Sequence, residues 1–171
     1  TKRASLNLEN EMLYESIFNN ILETFKSLIA SIQARDSYTE AHSQRVTKAA
    51  VRLAQALQCP EQDIESLKIA GILHDIGKIA IPDHILLKED TLTAAEYTVI
   101  QRHPIIGENI LKPMLLFDRE RKIILHHHER WDGKGYPHGL AGQEIPYLSR
   151  ILSVADSFDA MTTDRPYRSA M

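Results

Sequence analysis

Histidine and aspartate recur along this chain at intervals that only a returning fold can use. His42 to His74 is 32 residues, Asp75 to His103 is 28, His103 to His127 is 24, and His128 to Asp156 is 28. Two antiparallel helices of roughly 10–14 residues, with their loops, bring a chain back to the same end of a bundle after such an interval. The spacing therefore predicts that His42, His74, Asp75, His103, His127, His128 and Asp156 converge. Five imidazoles and two carboxylates exceed what one four-coordinate ion needs. A carboxylate can bridge two ions, and Asp75, next to His74, is placed to do so. Ligation by nitrogen and oxygen without thiolate suits iron, manganese, zinc or nickel. Two adjacent metals clamp the attacked and leaving oxygens of a phosphodiester and activate the attacking water.

The local patterns agree with a helical scaffold. Up to about Ala34 the chain holds no Gly or Pro, and Tyr14, Phe18, Ile21, Phe25, Leu28 and Ile32 follow a 4-3-4-3-4 spacing, a coiled-coil seam. Two roles fit it equally: a helix docked on its own domain, or a dimer-forming signalling helix. Ser37-Tyr38-Thr39-Glu40 is a capping box, which starts a second helix running to about Gln58, with His42, Val46, Ala49, Leu53 and Leu57 on one face. Pro60 suits the first turn of a third helix carrying Ile64, Leu67, Gly71 and His74 in step. A second capping box, Thr93 to Glu96, opens a helix expected to carry His103. Asp118 is expected to cap the helix bearing Ile123, Ile124, His127 and His128. Residues 131–146 hold four Gly and two Pro and read as a loop. A final helix from about Tyr147 carries Asp156 and Asp159 on one face. No strand-like alternation persists, so the expected fold is all-α.

Individual histidines mean little. His84 and His138 read as surface residues, and His126 is expected to point away from the pair that follows it, because successive helical side chains diverge by about 100°. The joint pattern is what points to metal: seven ligands at return spacing, then a Gly/Pro loop to close over whatever the metal acts on. The single Cys59 excludes an intrachain disulfide framework and a thiolate zinc site. A net charge of −3 gives no support to binding a nucleic-acid polymer. With no secretory pattern and no apolar run near 18 residues, the chain carries no membrane segment and the cytoplasm is the expected location. The first residue is Thr and the chain stops soon after Arg168, so it reads as a piece of a longer polypeptide, its C-terminal end truncated.

His74-Asp75-Ile76-Gly77-Lys78, Ile81-Pro82-Asp83, His103-Pro104 with Gly107, His127-His128-Glu129, Gly135-Tyr136-Pro137 and Asp164-Arg165-Pro166-Tyr167-Arg168 occur in order over about residues 35–171. Together they resemble the bacterial HD-GYP family of metal-dependent phosphohydrolases. The resemblance implies an HD-domain helical bundle at 37–171 with a Gly/Pro-rich GYP loop, preceded by a linker or signalling helix at 1–36. It implies hydrolysis of cyclic di-GMP to pGpG and on to GMP, with another cyclic dinucleotide, or a weakly active module for nucleotide or partner binding, as alternatives. The seven convergent residues become the metal ligands. Lys78 and Asp159 match the lysine and aspartate that assist the water or the leaving group, alongside Asp75. Tyr136 contacts the dinucleotide, and Arg165 and Arg168 grip phosphate or guanine. The implied cofactors are two divalent ions per chain, iron or manganese first, zinc or nickel as alternatives. The implied partners are cyclic di-GMP, a second copy through the N-terminal helix, and GGDEF-domain proteins. Some members add a third metal held by a Glu four residues before the first His. Here that position is Tyr38, and Glu40 sits only two before His42, so a binuclear site is expected.

Overall fold

A computed structural model describes residues 2–33, 39–114 and 117–163, with side chains for 7–31, 41–114 and 117–163. Eight α-helices follow in order among them: α1 (Lys2–Gln33), α2 (Thr39–Ala56), α3 (Glu61–Leu73), α4 (Asp83–Leu86), α5 (Ala94–Ile100), α6 (His103–Leu111), α7 (Asp118–Leu125) and α8 (Tyr147–Thr162). Short 3₁₀ turns occupy Ile76–Ala80 and Gly142–Glu144. No strand forms among the described residues; an isolated bridge joins Asp132 and Ala141. The all-α expectation holds.

Helix α2 is the centre of the bundle and packs against α3 and α8, while α7 packs on α3 and α6 and the first 3₁₀ turn lies on α6. Val46, Ala50 and Ala54 of α2 meet Leu67, Ala70 and Leu73 of α3 and Leu152 and Ala155 of α8, all nearly or fully buried. Small Ala residues on α2 let α3 and α8 approach it closely. Burying each large aliphatic side chain of this set stabilises the fold by about 1.5–3 kcal/mol.

The C-terminal half of α1 docks on its own domain. Phe25 and Ile29 are buried, and the Phe117 ring stands 5.6 Å from Phe18 and 6.2 Å from Phe25. The N-terminal half leaves Leu8, Met12, Leu13, Tyr14 and Ile17 exposed. The expected capping box at Ser37–Glu40, Tyr38 and the domain boundary at 36/37 lie outside the residues whose structure and side chains are described.

Two helix expectations need correction. The helix opened by Thr93 ends at Ile100, and His103 begins the next one. Pro104 is the cause: it has no N–H to give the Ile100 carbonyl, so the helix cannot run through. Likewise α7 stops at Leu125, which leaves His127 and His128 beyond its end, and Asp118 is its first residue with Phe117 at the cap.

The Thr93 capping box forms as expected. Glu96 N–H donates to the Thr93 hydroxyl at 3.3 Å, and Thr93 N–H donates back to the Glu96 carboxylate at 2.7 Å. Lys88 Nζ adds a 2.7 Å ion pair, and with Thr93 holds the Glu96 pKa at about 2. A depressed pKa means stability that is present above the ordinary carboxylate value and lost as pH falls towards 2. Glu96→Gln is therefore expected to melt below wild type at pH 6 and with it at pH 2; equal melting at both would remove the interaction's role.

Candidate metal centre

Three of the histidines are set by one local device. His74 caps the C-terminus of α3, and its Nδ1–H donates to the Gly71 carbonyl at 2.8 Å. His103 Nδ1–H donates to Ile100 O at 2.8 Å, the carbonyl that Pro104 leaves unmet, and His127 Nδ1–H donates to Ile124 O at 2.6 Å. The last carbonyls of a helix lack partners within it, so a ring placed one turn on satisfies them. The same bond fixes the tautomer and leaves Nε2 bare for a cation.

His42, on α2, is held from α8 instead. Its Nδ1–H donates to Asp159 Oδ2 at 2.7 Å, and its Nε2 stands 3.2 Å from Asp156 Oδ1. Arg45, one turn after His42, grips Asp159 with Nε at 2.5 Å and a terminal nitrogen at 2.9 Å. Both Asp159 oxygens are thus engaged. This arrangement lets the carboxylate orient the His42 imidazole. Sequence reasoning missed Arg45; its position at i+3 from His42 was the available signal.

Asp75 lies between two sets of imidazoles. Its Oδ2 is 3.4 Å from His74 Nε2, and its Oδ1 is 3.5 Å from His103 Nε2. On one side, donor atoms of His42, His74 and Asp75 lie within 4.8 Å of one another; on the other, so do those of His103, His127 and His128. His103 Nε2 and His127 Nε2 approach to 3.5 Å. The structure brings all seven expected ligands together.

The donor set fits divalent metal. His74 Nε2 and Asp75 Oδ1 are buried without a hydrogen-bond partner, an arrangement that costs free energy unless a cation takes both. Burial holds His127 neutral and lowers His103 to about 3 and His128 to about 4, so their lone pairs are available near neutral pH. Burial resists charge on Asp75 too, but Lys78, His74, His103 and His42 outweigh it and keep the carboxylate ionised. For His42 burial is overcome by the Asp156 hydrogen bond, the Asp75 charge and the Asp159 hydrogen bond, which raise its pKa. Lys78, in the 3₁₀ turn, donates to Asp75 Oδ2 at 2.7 Å.

The Gly/Pro loop closes beside these ligands. A Cβ on Gly135 would overlap Arg130 N and stand 2.5 Å from Glu129 Cα and His128 O, so only glycine allows the loop to lie on that backbone. Tyr136 N–H donates to His128 O at 3.2 Å, and its ring sits 4.8 Å from that of His128. The peptide between Tyr136 and Pro137 is cis. Glu129, whose role the sequence did not suggest, is buried and accepts the N–H groups of His138 at 2.7 Å and Leu140 at 3.0 Å. Arg165 and Arg168 lie outside the described residues.

A carboxylate that orients a ligand histidine typically contributes 10- to 100-fold in metal affinity. Asp159→Asn is expected to weaken metal binding by about that factor while the fold persists, measured by competition with a chromophoric chelator. Unchanged affinity would reduce Asp159 to a packing partner of Arg45.

Residues 26–171 match the family model of the HD domain. The chain is 40% identical to the cyclic di-GMP phosphodiesterase response regulator RpfG of Xanthomonas campestris pv. campestris, over 99% of this chain and 46% of that one. It is 43% identical to a cyclic di-GMP phosphodiesterase of Thermotoga maritima, over 91% of this chain and 42% of the relative. A 3'3'-cGAMP-specific phosphodiesterase 2 of Vibrio cholerae is 39% identical over 95% and 32%. The chain thus spans less than half the length of these relatives. In fold it resembles Bd1817, a HDG"Y"P protein from Bdellovibrio bacteriovorus, with a TM-score of 0.67 at 24% identity over 85% of this chain and 52% of that one. With His74-Asp75 set among the histidines and the Gly135-Tyr136-Pro137 loop beside them, the chain belongs to the HD-domain family, in its HD-GYP type.

Proposed function

We propose that this chain is a metal-dependent phosphodiesterase that hydrolyses cyclic di-GMP to pGpG and on to GMP. The observation that carries the reading is the position of Asp75, one oxygen toward His74 and the other toward His103. In this reading His42, His74 and Asp156 would hold one divalent ion, His103, His127 and His128 would hold a second, and Asp75 would serve both. The nitrogen and oxygen donors suit iron or manganese, with zinc or nickel as alternatives. When bound, two such ions supply Lewis acidity at the phosphoryl oxygens and activate the water nucleophile.

The remaining work falls to residues of the chain. Lys78 donates to Asp75 Oδ2 at 2.7 Å, and in this reading it assists the water or the leaving group. Burial first, then Tyr97 and the two aspartates, raise the Tyr136 pKa, so its phenol stays protonated and able to donate to the dinucleotide. Asp159 and Arg45 hold the His42 ring in place. Arg165 and Arg168 grip the ligand's phosphate or guanine as paired guanidinium groups can.

The test is the metal content of anaerobically purified protein, followed by chromatography of its products from cyclic di-GMP and from 3'3'-cGAMP. Two metals per chain with pGpG or GMP formed supports the reading; metal without turnover of either substrate overturns it. Preference for 3'3'-cGAMP would select the second reading, which the Vibrio cholerae relative favours at 39% identity.

We also propose that the exposed apolar residues Leu8, Met12, Leu13, Tyr14 and Ile17 pair with those of a second copy. The chain is then expected to sediment as a dimer and a variant lacking residues 1–17 as a monomer. A monomeric full chain would end this proposal.

A further inference from the structure

We propose that His126, Glu129 and His138 form a separate site for a divalent cation of the zinc(II) type, which ties the GYP loop to the end of α7. His126 occupies the C-cap of α7, so its ring leaves in a different direction from those of His127 and His128. It turns to the loop instead, where its ring centroid lies 5.2 Å from that of His138. Its Nδ1 is buried, has no hydrogen-bond partner, and stands 3.7 Å from Glu129 Oε1. One donor atom from each of the three residues lies within 4.8 Å of the other two. This separates the group from the seven ligands described above, none of which it shares.

Two imidazoles and a carboxylate make a zinc ligand set that keeps its fourth position for water. Ligand atoms about 2 Å from a common ion sit a little closer together than these do. The closing movement falls to His138, whose side chain is exposed. Glu129 is already engaged by two loop N–H groups, but each carboxylate oxygen has a second lone pair to offer. An ion here would join the end of α7 to residues 138–140 through groups that are already adjacent. Tyr136 lies within the same loop, on the His128 ring. Occupancy would therefore stiffen the loop that closes over the main centre, from outside that centre.

The experiment counts zinc per chain at equilibrium for wild type, His126→Gln and His138→Gln, with hydrogen exchange at the Gly139 and Leu140 amides. Each variant is expected to bind one zinc fewer than wild type, and zinc is expected to slow exchange at both amides in wild type alone. A His138→Gln count equal to wild type overturns the site, whatever the total. Because His138 is exposed, that variant serves even where His126→Gln does not fold. A wild-type count of one that falls to zero in His138→Gln would keep this site and overturn the binuclear centre, so the two readings fail separately.

Discussion

Asp75→Asn is expected to lose metal and phosphodiesterase turnover together. The substitution keeps the shape of the side chain and removes its charge. That charge faces His74 Nε2 at 3.4 Å, His103 Nε2 at 3.5 Å and Lys78 Nζ at 2.7 Å. Burial alone would favour the neutral acid, yet the surrounding cationic and imidazole groups hold Asp75 ionised. Removing a group behind a ligand typically costs 10- to 100-fold in metal affinity or activity. A ligand shared by both ions should cost more, on the order of a thousandfold or beyond in turnover. Metal analysis and single-turnover kinetics on the same sample decide the matter. A variant with two metals and wild-type turnover would show that Asp75 bridges nothing. A variant that keeps one metal and loses turnover would place the carboxylate on one ion only.

The same residue shows how far sequence carried the argument. Return spacing along helices predicted the convergence of seven ligands, and that convergence is an average property of whole helix pairs, insensitive to one or two residues at an end. The Thr93–Glu96 capping box was legible for the opposite reason: its partners are three residues apart and its bonds are local. What failed lay between these scales. The break before His103 depends on Pro104 and on His103 taking the carbonyl that Pro104 leaves, and the helical period of the sequence conceals it. Arg45 and Asp159 are separated by 114 residues, so their pairing, and with it the orienting role of Asp159, needs the packing of α2 on α8. Glu129 reads as a polar residue beside the histidine pair until the loop folds back and presents two N–H groups to it. His138, expected at the surface, is exposed, but it is also next to His126, which no local pattern announces.

The second large effect is expected at Gly77, which no ligand assignment would single out. Its backbone lies in the 3₁₀ turn two residues after Asp75 and crosses the start of α6. A Cβ there would overlap the His103 carbonyl oxygen and stand 2.7 Å from Gly107 N, and both are main-chain atoms that no rotamer change can move away. Gly77→Ala must therefore push the turn off α6. Overpacking of this kind costs about 3 kcal/mol or more, which for a chain of this size lowers Tm by roughly 10 °C. The damage also reaches the chemistry, since the turn carries Lys78 and follows Asp75, while α6 begins at His103. Displacement by about 1 Å can cost a hundredfold in rate. Gly107→Ala supplies the contrast: its Cβ would meet the Ile124 Cγ2 at 3.2 Å, a side-chain methyl group that can yield. Its loss should be the smaller on both readouts. Thermal melting of the two metal-free variants, then metal uptake by each, separates the packing cost from the displaced ligands. A Gly77→Ala protein that melts with wild type would mean the turn and α6 are not in backbone contact, and the alignment of Asp75 with His103 would need another cause.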